Sequence, residues 1–189
     1  MHFLILTATH QDYRALKSVV WELLAHKQHL TTVAITGVHL MDEQGGLKKF
    51  KEDEIPIALK LDNITAGQNS VEALKTAFLI PQLAGFFAFN KPDALVVAHA
   101  SVEAFAAAST AFLSNIPVVH VSGGEHTADA FTNNIRFAIS RLTHLHFVAT
   151  KEARNRLKAT GEPSERIHLV GAPEIDALLR ETIAAPSVL

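Results

Sequence analysis

The chain has 189 residues, 48% of them hydrophobic and 19% charged, a composition that can bury a core and leaves room for one domain rather than two. Its 17 basic and 19 acidic side chains nearly cancel, for a net charge of -2, which offers no broad electrostatic footprint to nucleic acid or an anionic membrane. Cysteine is absent, so disulfides, thiolate catalysis and zinc–thiolate centres are excluded.

Met1 leads into a short strand pattern without a basic flank, so no secretory signal is expected. That strand is His2-Phe3-Leu4-Ile5-Leu6-Thr7-Ala8, apolar throughout as for a strand covered on both faces. A helix is predicted over residues 12–26, with Leu16, Val19, Val20, Leu23 and Leu24 at helical spacing and Asp12 as its N-cap. The β-branched run Thr31 to Thr36 reads as the second strand and is stopped by Gly37. Residues 48–54 read as a charged, solvated segment, and 55–61 as a weak strand. A long helix over 70–89 contains Pro81, which predicts a kink or break there. Its most apolar part, residues 77–89, is too short to span a bilayer.

Ala94-Leu95-Val96-Val97-Ala98 is the next buried strand, and the alanine-rich stretch 102–113 a helix that can sit close to the sheet. Ile116 to Val121 form a strand that runs into Ser122-Gly123-Gly124-Glu125. A polar loop is predicted up to Asn134, then a helix over 135–142 and a strand over 145–149. Thr150 caps the following helix, residues 167–170 form the last strand, and Gly171-Ala172-Pro173 opens the closing helix. About seven alternations of strand and helix demand right-handed crossovers and a doubly wound parallel sheet, a Rossmann-like α/β domain over 1–183 with a loose tail at 184–189. The whole reads as soluble and cytoplasmic.

In such a sheet, ligands collect at the carboxyl ends of the strands beside the reversal of strand order. If the order is the common Rossmann one, the exits of the first, fourth and fifth strands meet there and carry His10, His99 and Ser101, and His120 through Glu125. Histidine suits proton transfer near neutral pH, and a nearby carboxylate favours its charged form. The candidates for chemistry are Glu125, His120 and His99. Ser122, Gly123 and Gly124 can offer backbone N–H groups to a sugar or phosphate oxygen, and Arg136 a guanidinium. A zinc or nickel site at His10, His99 and His120 is conceivable, but no local histidine spacing supports it, and no metal is expected. At most one of His144 and His146 is expected to face a cleft. Neither a G-x-G-x-x-G after the first strand nor a P-loop lysine occurs, so no dinucleotide or other cofactor is expected.

Several motifs resemble the UDP-N-acetylglucosamine 2-epimerases. Thr7-Ala8-Thr9-His10-Gln11-Asp12-Tyr13 is similar to their first-strand Gly-Thr-Arg-x-Asp-Tyr, and Thr36-Gly37-Val38-His39-Leu40 to the Thr-Gly-x-His-Leu of the hydrolysing branch. The run from Ile116 through His120 to Gly123-Gly124-Glu125, then Ile135-Arg136, Thr143-His144-Leu145-His146-Phe147 and Gly171-Ala172-Pro173-Glu174-Ile175-Asp176, fits in order and spacing. The resemblance implies the amino-terminal half of a two-domain GT-B fold, with the half that grips the nucleotide lying beyond this sequence. It implies conversion of UDP-N-acetylglucosamine to N-acetylmannosamine and UDP through a glycal intermediate, for sialic acid or capsule synthesis. It also implies that His10, Asp12, His39, Ser101, Ser122, Gly123, Gly124, Arg136 and His146 contact a UDP-sugar or amino sugar, and that the chain forms a homodimer. A separate carboxyl-terminal-half protein is the expected partner for activity. The departures are His99-Ala100-Ser101 in place of Gly-Asp-Arg, His10 in place of arginine, and Thr132-Asn133-Asn134 in place of Asp-Asp-Ser. They raise the alternative of a non-catalytic sugar-nucleotide-binding or regulatory subunit.

Overall fold

A computed structural model describes residues 1–41, 46–63 and 71–184. In chain order the elements are β1 (His2–Thr7), α1 (His10–Ala25), β2 (Leu30–Ile35), α2 (Val38–Met41), α3 (Gly46–Glu52), β3 (Leu59–Lys60) and α4 (Glu72–Phe89). They continue as β4 (Ala94–Ala98), α5 (Val102–Leu113), β5 (Val118–Val121), α6 (Ala130–Arg141), β6 (Leu145–Val148), α7 (Lys151–Ala159), β7 (Ile167–Leu169) and α8 (Pro173–Ala184). All pairings are parallel, and the sheet order is β3-β2-β1-β4-β5-β6-β7. The expected doubly wound Rossmann-like sheet is therefore the one found, with its order reversing between β1 and β4.

The two-residue period of the strands divides the core. Leu4, Leu6, Leu95, Val97 and Val118 face a cluster built with Leu79, Leu83 and Phe87 of α4, the alanines of α5 and Ile139 of α6. Ile5, Ala94, Val96, Ala98, Val119 and Val121 face the other side, with Ala15, Leu16 and Val20 of α1. A parallel sheet needs both faces covered. On the α1 side, α1 and α8 leave a groove of about 710 Å³ floored by Val96, Val119, Val121 and Phe147.

Four local readings are corrected. The charged stretch at 48–54 belongs in part to α3, whose Phe50 is buried against Tyr13 and His39 while Lys48 and Glu52 pair on the outside. The strand expected at 55–61 shrinks to Leu59–Lys60. Pro81 neither breaks nor ends α4. It lies on an exposed side, and Gln82 donates to the Phe78 carbonyl at 2.7 Å and to Asp62 O at 2.7 Å, supplying local donors beside the missing N–H. Helix α6 begins at Ala130, five residues before the expected start, because Asp129 accepts from the N–H groups of Phe131 and Thr132. Of the tail expected at 184–189, Ala184 still belongs to α8, and residues 185–189, like the expected start of α4 at Ser70, lie outside the described residues.

Leu83 is fully buried between α4 and the sheet. Leu83→Ala is expected to lower stability by about 2–5 kcal/mol, read as a lower urea midpoint with an unchanged m-value.

Candidate functional site

The exits of β1, β4 and β5 converge beside the order reversal, where an open parallel sheet places its ligands. Thr9, not Asp12, is the N-cap of α1; its hydroxyl accepts from Asp12 N at 3.1 Å. Asp12 is the third helical residue and completes a capping box by accepting from Thr9 N at 3.0 Å and Ala8 N at 3.3 Å. This carboxyl is buried, and burial raises its pKa from 3.8 to about 6, against the favourable field of His99 and its own hydrogen bonds. His10 stands exposed at the first turn, edge-on to His39 with ring centroids 5.6 Å apart. His39 is buried in α2 against Tyr13 and Phe50, with its Nε2 3.0 Å from the Thr7 hydroxyl. Burial, helped by His10, pulls its pKa down to about 4.

The exit of β4 is strained. His99 has φ of 52°, a left-handed conformation that costs a non-glycine residue about 1–2 kcal/mol. Its backbone is held on both sides: its N–H donates to Val121 O at 3.0 Å, and its carbonyl accepts from His120 Nε2 at 2.7 Å. His120 is fully buried, and its Nδ1 lies 3.3 Å from the Ser140 hydroxyl. These partners fix the neutral tautomer with the proton on Nε2, and burial lowers the pKa to about 3. His120 therefore lies beneath the rim rather than on it. The His99 ring is nearly buried, its side chain 11% exposed, and it turns toward α8, where its Nε2 meets Glu174 Oε1 at 3.0 Å. The Glu174 carboxyl is held below its ordinary pKa chiefly by that hydrogen bond.

The β5 exit is built by close packing. A Cβ on Gly123 would lie 2.8 Å from His120 Nδ1, and one on Gly124, at φ of 73°, 2.5 Å from the Ala153 carbonyl. Both glycines are thus required by their neighbours whatever they bind. Ser122, at φ of 57°, is buried between the two strand exits. Glu125 Oε1 accepts from the Thr150 hydroxyl at 3.2 Å, and its carbonyl accepts from Arg136 NH1 at 3.1 Å. Arg136 is buried, which lowers its pKa, and the Glu125 charge opposes that shift. Ser101 caps α5 by accepting from Ala104 N at 3.0 Å.

Two of these contacts tie the strand exits together: His120 to the His99 carbonyl, and Arg136 to the Glu125 carbonyl. His146 is not part of the rim. It pairs in register with His120 but is fully buried, 3.5 Å from Glu162 Oε2, and burial lowers its pKa. His144 is exposed before β6 and accepts from Val118 N at 3.1 Å. Among the described residues no group of three histidines, aspartates or glutamates is arranged to hold a metal. Both ring nitrogens of His120 have protein partners, so the conceivable His10/His99/His120 metal site is not formed. Residue reading missed Glu174, although it stands in the quoted Gly-Ala-Pro-Glu motif. It also missed Asn63 and Glu103, a buried pair in which Asn63 donates to Glu103 Oε1 at 2.9 Å and accepts from Gly37 N at 3.2 Å.

These shifts have opposing signs in pH. His39 and His120 titrate lower when folded, so their contribution to stability is complete above about pH 6.5 and is lost as pH falls toward 4 and 3. Asp12 titrates higher when folded, so its contribution is complete below about pH 3.8 and is lost as pH rises through 6. Two histidines outweigh one carboxyl, and stability is expected to rise between pH 4.5 and 6.5. Asp12→Asn is expected to steepen that rise by about 2 kcal/mol, measured from urea midpoints at the two pH values.

The family model described as UDP-N-acetylglucosamine 2-epimerase matches residues 22–188. The hydrolyzing GDP/UDP-N,N'-diacetylbacillosamine 2-epimerase of Campylobacter jejuni is 32% identical over 174 residues, covering 89% of this chain and 44% of that protein. The hydrolyzing UDP-N,N'-diacetylbacillosamine 2-epimerase of Legionella pneumophila is 33% identical over 180 residues, covering 92% and 46%. The crystal structure of UDP-GlcNAc 2-epimerase from Neisseria meningitidis bound to UDP-GlcNAc superimposes with a TM-score of 0.86 at 26% identity, over 97% of this chain and 50% of that one. The chain spans about half the length of the curated relatives it matches. With most of its residues inside the family model and its sheet superimposed on a solved member, the chain belongs to the UDP-N-acetylglucosamine 2-epimerase family.

Proposed function

We propose that this chain supplies the sugar-facing wall of a hydrolysing UDP-2-acetamido-sugar 2-epimerase, acting with a nucleotide-binding half. The observation that carries this reading is the set of side chains at the exits of β1, β4 and β5: Asp12 bonded to the Thr9 N–H, His99 held by His120 and Glu174, and Arg136 bonded to the Glu125 carbonyl. It sets proton-transfer groups and a buried guanidinium where a parallel sheet presents its ligand. Glu125 is the acid–base candidate, because its carboxylate is partly exposed and oriented by Thr150, while its main chain is tied to Arg136. His10 stands exposed at the approach, His39 and the Ser122-Gly123-Gly124 turn lie buried behind it, and Ser101 shapes it by fixing α5. His120 acts from below by holding His99. Cytoplasmic location follows from the proposed use of a nucleotide sugar.

A second reading, a non-catalytic sugar-nucleotide-binding subunit, is favoured by one contact set. Asn133 is buried and spends its amide on the loop ahead of α6: Oδ1 accepts from Thr127 N at 2.9 Å, and Nδ2 donates to Thr127 O at 2.8 Å. A carboxylate cannot make the second bond, so this position is built for holding a loop.

Homodimer formation is proposed through α4. Leu74, Phe78 and Phe89 share one face and are 46%, 41% and 89% exposed. Gly85 lies on the same face, and a Cβ there would meet nothing within 4 Å. An apolar helical stripe of this length, with a small residue that admits a partner helix, fits a second copy packed across a two-fold axis.

The decisive measurement is UDP release from UDP-N-acetylglucosamine and from UDP-N,N'-diacetylbacillosamine, with the chain alone and mixed with a carboxyl-terminal-half epimerase protein. Release by the mixture that falls about 10²–10⁴-fold in Glu125→Gln establishes the enzyme reading. Binding of either nucleotide sugar by calorimetry without release in any mixture establishes the non-catalytic one. In sedimentation velocity, Phe78→Glu is expected to give a monomer with an unchanged circular dichroism spectrum; a wild-type monomer refutes the α4 interface.

A further inference from the structure

We propose that His99 and Glu174 form a carboxylate–imidazole dyad in which Glu174 positions the ring and His99 is the proton-transfer group facing the sugar. The inference rests on the epimerase reading above and assigns a residue pair to it. Four observations converge on the pair.

The first is the contact itself: His99 Nε2 donates to Glu174 Oε1 at 3.0 Å, across 75 residues of sequence. The second is what remains free. Nδ1 of His99 has no hydrogen-bond partner among the described residues, and a neutral ring with its proton committed at Nε2 presents Nδ1 as a base. The third is backbone cost. His99 occupies a left-handed conformation at φ of 52°, and the strand pairing and the buried His120 ring hold it there. Strain imposed by so many surrounding bonds is a mark of a site rather than of a solvated cap. The fourth is the seating of Glu174. It lies in the first turn of α8, and that helix is docked on α1 by the Ser18 hydroxyl donating to the Pro173 carbonyl at 3.0 Å and by Arg180 stacked over Trp21 at 4.7 Å. The carboxylate therefore arrives at the ring on a fixed element.

The charged and titratable groups facing His99 are Glu174 from α8, Asp12 from α1 and His120 from β5. Two are carboxyls, and His120 is a neutral donor to the His99 carbonyl rather than a competing cation. In the proposed step Nδ1 takes the proton from C2 of the sugar. The C–H electron pair becomes the C1=C2 double bond, and the C1–O pair leaves with the diphosphate. The imidazolium so formed is paired with Glu174.

The test separates the dyad from the enzyme reading by using a substrate-free readout first. Carbethoxylation by diethyl pyrocarbonate, located by peptide mass spectrometry, reads the nucleophilicity of each histidine in the chain alone. His99 is expected to react in the wild type and to slow about tenfold in Glu174→Gln, which keeps an acceptor but removes the charge. A purely structural clasp predicts the opposite, equal or faster reaction once the carboxylate is gone. His99→Gly removes the ring while relieving the left-handed backbone. It is expected to fold at least as stably as the wild type and to return the Glu174 carboxyl, followed by ¹³C NMR, upward to its ordinary titration. An unreactive His99, or a Glu174 carboxyl that does not move in His99→Gly, overturns the dyad. In a mixture that releases UDP, Glu174→Gln is expected to lower kcat about 10–100-fold with little change in KM and an altered pH profile. An unchanged profile also overturns it. A sensitised His99 in a protein that releases no UDP with any partner supports the dyad and overturns the epimerase reading instead.

Discussion

The short hydrogen bond from the buried His120 ring to the His99 carbonyl organises the entire rim. It joins the end of β4 to β5 from inside the core, where its strength is least diluted by water. Because Nε2 must donate to a carbonyl, the ring is held neutral, and its other nitrogen must accept from Ser140 on α6. That ring leaves no room for a side chain at Gly123, and its two nitrogens tie the left-handed turn at His99 to Ser140 of α6.

Around it the site divides into groups kept uncharged and groups kept charged. Asp12, His39 and His120 are buried with hydrogen bonds to neutral partners, and desolvation favours the neutral form of each near neutral pH or just below it. Glu174 is partly exposed and bonded to the His99 imidazole, and the buried Arg136 is bonded to the Glu125 carbonyl, so they carry the fixed charge. The neutral set supports the backbone of the three strand exits.

The sheet was legible because a two-residue period along Ala94-Leu95-Val96-Val97-Ala98 sits between turn residues, and each side chain then falls to the face its parity dictates. That the exits of β1, β4 and β5 lie side by side followed from strand order alone. What failed was whatever depends on a partner remote in sequence. Nothing near His120 distinguishes a ring that turns inward to Ser140 from one that lines a cleft. Glu174 lies 75 residues from the histidine it meets. Helix α3 was hidden because its only deep anchor is Phe50, with lysines and a glutamate around it, so its apolar period is nearly silent. The early start of α6 had a local signal in Asp129, but Thr132, Asn133 and Asn134 argue for a loop by propensity, and tertiary contacts outweighed them.

Asn133 carries one more implication. Its amide both accepts from and donates to Thr127, and it also lies 3.3 Å from the His126 ring. A carboxylate placed there loses a donor and confronts the Thr127 carbonyl with like polarity in a buried site. The position therefore discriminates between two side chains of nearly equal shape: the loop ahead of α6 leans on the amide, and an acid there requires the loop to be remodelled.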